Sequence, residues 1–314
     1  MNFRTEIKLE KSLKLWDIED RISLIGSCFS ENIGNKLSIN GFLCDINPFG
    51  ILYNPISIAQ CLDRVSNLKF LEKEDLLFSN GYYKSYYHHG DFRAKTMEEC
   101  LEMINKRIEI SNSFLQNSNY LILTLGSAWI YKHKGTNNIV GNCHKIPGKE
   151  FEKSILSLEE IISSLKDSIN QFFMINRTEN PRVILTISPI RHWKDGFREN
   201  QISKSLLHIG VDEIIKSDNR IEYFPSYELV MDDLRDYRFY KEDMLHPNSI
   251  AIDYIWEKFS NTYFSDKTLN IAKQYTKLNK MESHLAFNPD SPEYKNHLRK
   301  TEELRKELSQ IRLS

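Results

Sequence analysis

Arg21-Ile22-Ser23-Leu24-Ile25-Gly26-Ser27-Cys28-Phe29-Ser30-Glu31-Asn32-Ile33-Gly34 is the stretch that decides the fold. Ile22, Leu24 and Ile25 make an apolar run of strand length. Gly26 can take backbone angles closed to other residues and so allows a sharp exit from that strand. Ser27, Cys28 and Ser30 then fall where a new helix leaves its first backbone N–H groups without partners. A thiol there feels the positive end of the helix dipole, which lowers its pKa and favours thiolate. The carboxyl end of a sheet strand is also where α/β proteins usually hold ligands. The same residues fit an ordinary strand-to-helix turn with a small buried cysteine as well.

Outward from this stretch, strands alternate with helices. Residues 1–20 read as a peripheral lead-in. The spacing predicts strand 22–25 and helix 29–39, stopped by Asn40-Gly41, then a short strand over 42–46. Asn47-Pro48-Phe49-Gly50-Ile51-Leu52-Tyr53-Asn54-Pro55 reads as a structured loop, and helical spacing follows over 56–65. Residues 80–93 crowd tyrosines around His88 and His89 and read as an aromatic hairpin or flap; adjacent histidines point opposite ways on a strand and seldom chelate one ion together. Capping boxes at Thr96/Glu99 and Ser157/Glu160 open helices over 96–114 and 157–175. Tyr120-Leu121-Ile122-Leu123-Thr124-Leu125 is the strongest strand, followed by a hairpin over 129–142. A buried strand over 182–187 stops at Pro189, and a helix over 197–216, a strand over 221–224, a helical turn or two over 227–234 and a helix over 248–262 complete the pattern. The last fifty residues are charged and helical, broken by a loop at Asn288-Pro289. This alternation predicts an α/β three-layer sandwich around a mainly parallel sheet, with an added C-terminal helical segment.

Lys plus Arg number 42 against 43 Asp plus Glu, a net charge of −1. That balance argues against a dedicated nucleic-acid binder. The N-terminal residues lack the apolar segment of a secretory signal, and no run approaches the roughly 18 apolar residues of a membrane span. The five cysteines are widely spaced with no C-x-x-C pair, which fits reduced thiols in a cytoplasmic protein better than a zinc knuckle. Oligomeric state is open, and no cofactor motif is present.

The candidate chemistry lies at or near strand ends. Asp243 and His246 are three apart, so one turn can bring both side chains together. The histidine could take a proton from Cys28 or Ser27 while Asp243 fixes its tautomer. Asn142 and His144, just past the hairpin, could fold back over the site or simply cap loops. Arg191 and His192 follow another strand end and could bind a substrate carboxylate or phosphate, or lie on the surface. Trp129 reads as packing.

The chain resembles the GSCFA family. The likeness is carried by Gly26-Ser27-Cys28-Phe29-Ser30, with Ser in the last place, and continues through Asn47-Pro48-Phe49-Gly50, Leu125-Gly126-Ser127-Ala128-Trp129, Asn142-Cys143-His144-Lys145, Ser188-Pro189-Ile190-Arg191-His192 and Asp243-Met244-Leu245-His246-Pro247. It spans roughly residues 20–260. That family is similar to the SGNH/GDSL hydrolases, and the resemblance implies a domain over 1–265 with a helical extension over 266–314. It also implies that Cys28 takes the place of the nucleophile and Ser27 that of the preceding aspartate. Gly50 would then match an oxyanion donor and Gly126 would open the third block, with Asp243 and His246 as the terminal acid and base. The asparagine of the third block is missing, because Ala128 and Trp129 stand there.

Three functions follow as expectations. The first is an acyl-ester or thioester hydrolase or acyltransferase acting on a small-molecule acyl or carbohydrate ester. The second is a non-catalytic binding module that kept the pocket and lost an oxyanion donor. The third is a metal-dependent hydrolase around His88, His89 and His144.

Overall fold

The computed structural model describes residues 5–284 and 291–311; Asn288-Pro289 lies outside them. Five parallel strands form the central sheet: β1 (Arg21–Gly26), β2 (Leu43–Ile46), β3 (Tyr120–Leu125), β4 (Arg182–Ile187) and β5 (Ile221–Phe224). Their order is β5-β4-β3-β1-β2, with Ile22 level with both Cys44 and Tyr120. The order reverses between β1 and β3. Connections there leave on opposite faces, which opens a crevice at the carboxyl ends of the strands.

Period-two alternation decides which core each strand residue feeds. Leu121, Leu123 and Leu125 pack with Ile58, Ile104, Leu165 and Leu207. Those four belong to helices α2 (Pro55–Ser66), α3 (Met97–Leu115), α4 (Leu158–Ile175) and α5 (Phe197–Ser217). Tyr120 and Ile122 face the other way, into a second core with Phe29, Ile33, Ile255 and Phe259, which come from α1 (Cys28–Ile39) and α6 (Ser249–Tyr263). The result is the expected three-layer α/β sandwich. Helices α7 (Asp266–Glu282) and α8 (Pro292–Ile311) join the second core through Ile271, Leu278 and Leu308.

Two expectations need correction. The lead-in is not peripheral: Trp16 is 0% exposed, its ring stacked on Tyr120 at 4.4 Å, and its carbonyl accepts a hydrogen bond from Thr268 Oγ1. A lone tryptophan among charged residues has no periodicity to betray its burial. The hairpin after β3 also has a third strand, Phe151–Ile155, pairing antiparallel with Trp129–His133; its central residues are exposed, so the apolar alternation is weak. The aromatic segment forms a small antiparallel sheet of Leu76–Ser79, Tyr82–Ser85 and Arg93–Ala94.

Candidate active site

Gly26 sets the first wall of the site. Its φ is +145°, and a Cβ there would lie 2.2 Å from the Thr124 carbonyl oxygen, so only glycine lets β1 turn this close to β3. Its N–H donates to Asn47 Oδ1 at 2.9 Å. Ser27 caps α1, its Oγ accepting from Phe29 N at 3.2 Å, and it is buried. Cys28, the first residue of α1, is partly exposed. It lines a cavity of about 460 Å³ at the carboxyl ends of the strands.

The cavity brings Cys28 together with His246, Asn142 and Arg191. Asp243 lies behind His246. Its Oδ2 is 2.6 Å from His246 Nδ1, while Oδ1 accepts from the N–H groups of Leu245 and His246, each at 2.9 Å. Hydrogen bonds from the His246 and Leu245 backbones and from the His246 ring hold this exposed carboxyl down at about 2. The bond to Nδ1 fixes the ring and leaves Nε2 as its remaining nitrogen.

The thiol departs from expectation. Burial pushes Cys28 up to about 11, and Glu31 adds to the rise; its own backbone N–H, Lys241 and Lys204 pull the other way and lose. Desolvation outweighs the helix end, so the resting sulfur is a thiol at neutral pH and not the expected thiolate.

Several expected residues stand elsewhere. Gly50 donates its N–H to Asn47 O at 2.7 Å, so that N–H is spent inside its own turn. Gly126 donates to Tyr53 O at 2.7 Å, and Ser127 N donates to the same oxygen at 3.0 Å. Gly50 therefore cannot act as the expected backbone oxyanion donor, and the N–H of Gly126, which opens the third block, is spent as well. His144 turns away from the cavity, its Nε2 2.7 Å from Ser85 O; burial lowers its pKa. Arg191 lines the cavity but donates Nη2 to Met244 O at 3.0 Å and lies over the rings of Tyr237 and Tyr240. The bond to Met244 O ties it to the loop that carries His246. His88 is fully buried, stacked on Phe49 at 3.9 Å. Burial holds it neutral, down at about 3. No group of three or more His, Cys, Asp or Glu residues among the described residues is arranged to hold a metal ion.

Other residues at this end of the sheet were missed in the sequence or read differently. Lys204 is fully buried, and its Nζ donates to Gly126 O and Ser188 O, each at 2.7 Å, tying the ends of β3 and β4 together. Burial brings it down to about 7. Its signal was a lysine within the buried stripe Asn200, Ser203, Leu207, Val211 of α5. His192 lines the cavity instead of lying on the surface. Burial holds it at about 4, and its Nε2 is buried without a partner. Asn54 lines the cavity too, and so do the rings of Trp129, Tyr131 and Trp193. The Asn54-Pro55 pair was the visible signal of a helix start, but it does not reveal a cavity.

A family model described as the GSCFA family matches residues 21–259. No curated protein matches the chain. Among solved structures, the chain is similar to a carbohydrate esterase family 3 from Talaromyces cellulolyticus and to a Clostridium thermocellum family 3 carbohydrate esterase. It is also similar to a mutant acetyl esterase with acetate ion. Each is 11% identical, with 81% of this chain and 98% of the other covered and a TM-score of 0.37.

Proposed function

The chain belongs to the GSCFA family, and we propose that it is an acyl-ester or thioester hydrolase or acyltransferase with Cys28 as nucleophile. One observation carries this reading: Cys28 and His246 open onto the same cavity, and His246 already has its far nitrogen bound to Asp243.

Because Cys28 rests as a thiol, His246 works as a general base during attack. The sulfur bonds to the acyl carbon, the carbonyl π pair moves to oxygen, and the S–H proton passes to His246 Nε2. Collapse re-forms the carbonyl and breaks the bond to the leaving oxygen or sulfur, which takes the proton back from His246. The resulting thioester is then attacked by water, giving an acid, or by an alcohol or amine, giving a new ester or amide. His246 removes the attacking proton and returns it to the Cys28 sulfur. Asp243 holds the imidazole in place and stabilises its charged form. The Cys28 N–H, first in its helix, has no carbonyl acceptor among the described residues and is one donor for the oxyanion. Asn142 also lines the cavity, and Trp129, Tyr131 and Trp193 give it aromatic faces suited to the apolar face of a sugar ester.

Cys28→Ala and His246→Ala against a panel of short acyl esters test the reading, and both should lose turnover. Retained turnover in both removes the mechanism, and loss only in Ser27→Ala moves the nucleophile by one residue. The second reading, a binding module without chemistry, draws support from the raised thiol and the spent N–H groups of Gly50 and Gly126. It predicts ester binding without acyl transfer to Cys28. Among the described residues, none after His246 lines the cavity, which supports treating 266–314 as an extension of the domain 1–265. No helix among the described residues is long and apolar enough to cross a membrane. The five cysteines are all free, which supports a reducing, cytoplasmic setting.

A further inference from the structure

We propose that the side-chain amide of Asn54 is the second oxyanion donor, doing from the β2–α2 loop what the missing third-block asparagine would do. This assignment rests on the acyl-enzyme reading above.

The loop is registered to the same strand end as the nucleophile. Leu52 N donates to Gly26 O at 2.9 Å, and Asn47 receives the Gly26 N–H. Tyr53 O receives the N–H groups of Gly126 and Ser127. Leu52 is thus bonded to the turn that presents Cys28 and Tyr53 to the end of the neighbouring strand β3, with Asn54 next in the chain. The neighbouring Tyr53 hydroxyl is close enough for the Cys28 charge to raise its pKa, after the larger effect of burial.

Asn54 itself is 5% exposed. As the cap of α2 its Oδ1 accepts from Ser57 N at 2.8 Å. That bond fixes which end of the amide faces the helix and leaves Nδ2 on the other side, with no hydrogen-bond partner among the described residues. Nδ2 is not a sealed orphan either, and the residue lines the same cavity as Cys28. A neutral N–H donor held on a capping bond is preorganised and needs no rearrangement as charge develops on the carbonyl oxygen. Asn142 has a similar anchored oxygen, accepting from His144 N at 2.8 Å. Its own backbone, however, is bonded to Tyr86, in the segment that follows Tyr82–Ser85, and not to the Gly26 turn.

Asn54→Ser keeps a good cap and removes the reach of the donor; Asn54→Asp keeps both the cap and the shape and replaces the donor with an acceptor. Two reactions of Cys28 are compared in wild type and variants. Acylation by p-nitrophenyl acetate builds an oxyanion, and alkylation by iodoacetamide does not. In Asn54→Ser the acylation rate should fall by about 10²–10³-fold, while alkylation stays at the wild-type rate. In Asn54→Asp the added carboxylate disfavours the thiolate and slows alkylation too, but acylation should fall by the larger factor. Acylation unchanged in Asn54→Ser overturns the assignment, as does an equal fall in both reactions, which would mean that Asn54 acts on the thiol or on the fold. Loss of acylation in Asn142→Ser with Asn54→Ser unaffected moves the donor to Asn142. A wild-type protein that is alkylated but never acylated at Cys28 instead removes the acyl-enzyme reading, and this assignment with it.

Discussion

The two halves of the site are held in opposite ways. The Gly26-Ser27-Cys28 turn is locked by the core: Gly26 lies against the Thr124 backbone, Ser27 N donates to Thr124 O, and Ser30 Oγ donates to Thr124 Oγ1 at 2.6 Å. The Asp243–His246 loop is exposed and holds itself through the two N–H bonds to Asp243 and the clamp from Arg191. Within it Met244 has a φ of +58° and is 49% exposed. Damage to the first half should therefore appear as lost stability, and damage to the second as lost rate.

Four changes would break or sharpen this contrast. Gly26→Ala should have the largest effect, a loss of more than about 4 kcal/mol, because its Cβ would meet a backbone oxygen with no room to move. Thermal unfolding should show a fall of at least about 6 °C; a smaller fall would mean that the turn can relax. Asp243→Asn should leave the melting temperature near wild type and lower kcat by about 10³–10⁴-fold, by freeing the His246 tautomer. Arg191→Gln should lower kcat about 10-fold with KM little changed, less than the 10²-fold of a full 1 Å misplacement. A rise in KM with constant kcat would instead make Arg191 a substrate contact.

The smallest effect concerns His88, which stacks on Phe49 behind the loop bonded to Gly26. Its pKa is lowered to about 3 by burial, with Arg64 and His144 adding to the effect. The unfolded chain therefore takes up the proton first, and stability falls as pH drops from about 6.5 towards 3. The expected slope is up to roughly 1.4 kcal/mol per pH unit from this residue. His88→Phe should flatten that part of the profile in denaturant melts at pH 4–7, relative to wild type. An unchanged slope would place the acid sensitivity elsewhere.

What was legible in the sequence follows the same division. The parallel sheet could be read because Ile22–Ile25, Tyr120–Leu125 and Arg182–Ile187 are short, mostly apolar runs that alternate with helices, several with clear caps. The Asp243–His246 pair could be read because three-residue spacing is local. Less legible were groups whose role depends on distant backbone. Gly50 looked like a donor, and only the fold shows that Asn47 takes its N–H. The thiol looked activated by its helix end, whereas the surrounding protein raises it. Trp16 and Lys204 are buried by elements far away in the chain.

The most direct test is intact-mass analysis of wild type, Cys28→Ala and His246→Ala after brief exposure to p-nitrophenyl acetate at neutral pH. The account predicts one acetyl group on wild type, mapped to Cys28, none on Cys28→Ala, and a greatly slowed adduct on His246→Ala. An acetyl group mapped to any other residue, or equal labelling of His246→Ala and wild type, would contradict it.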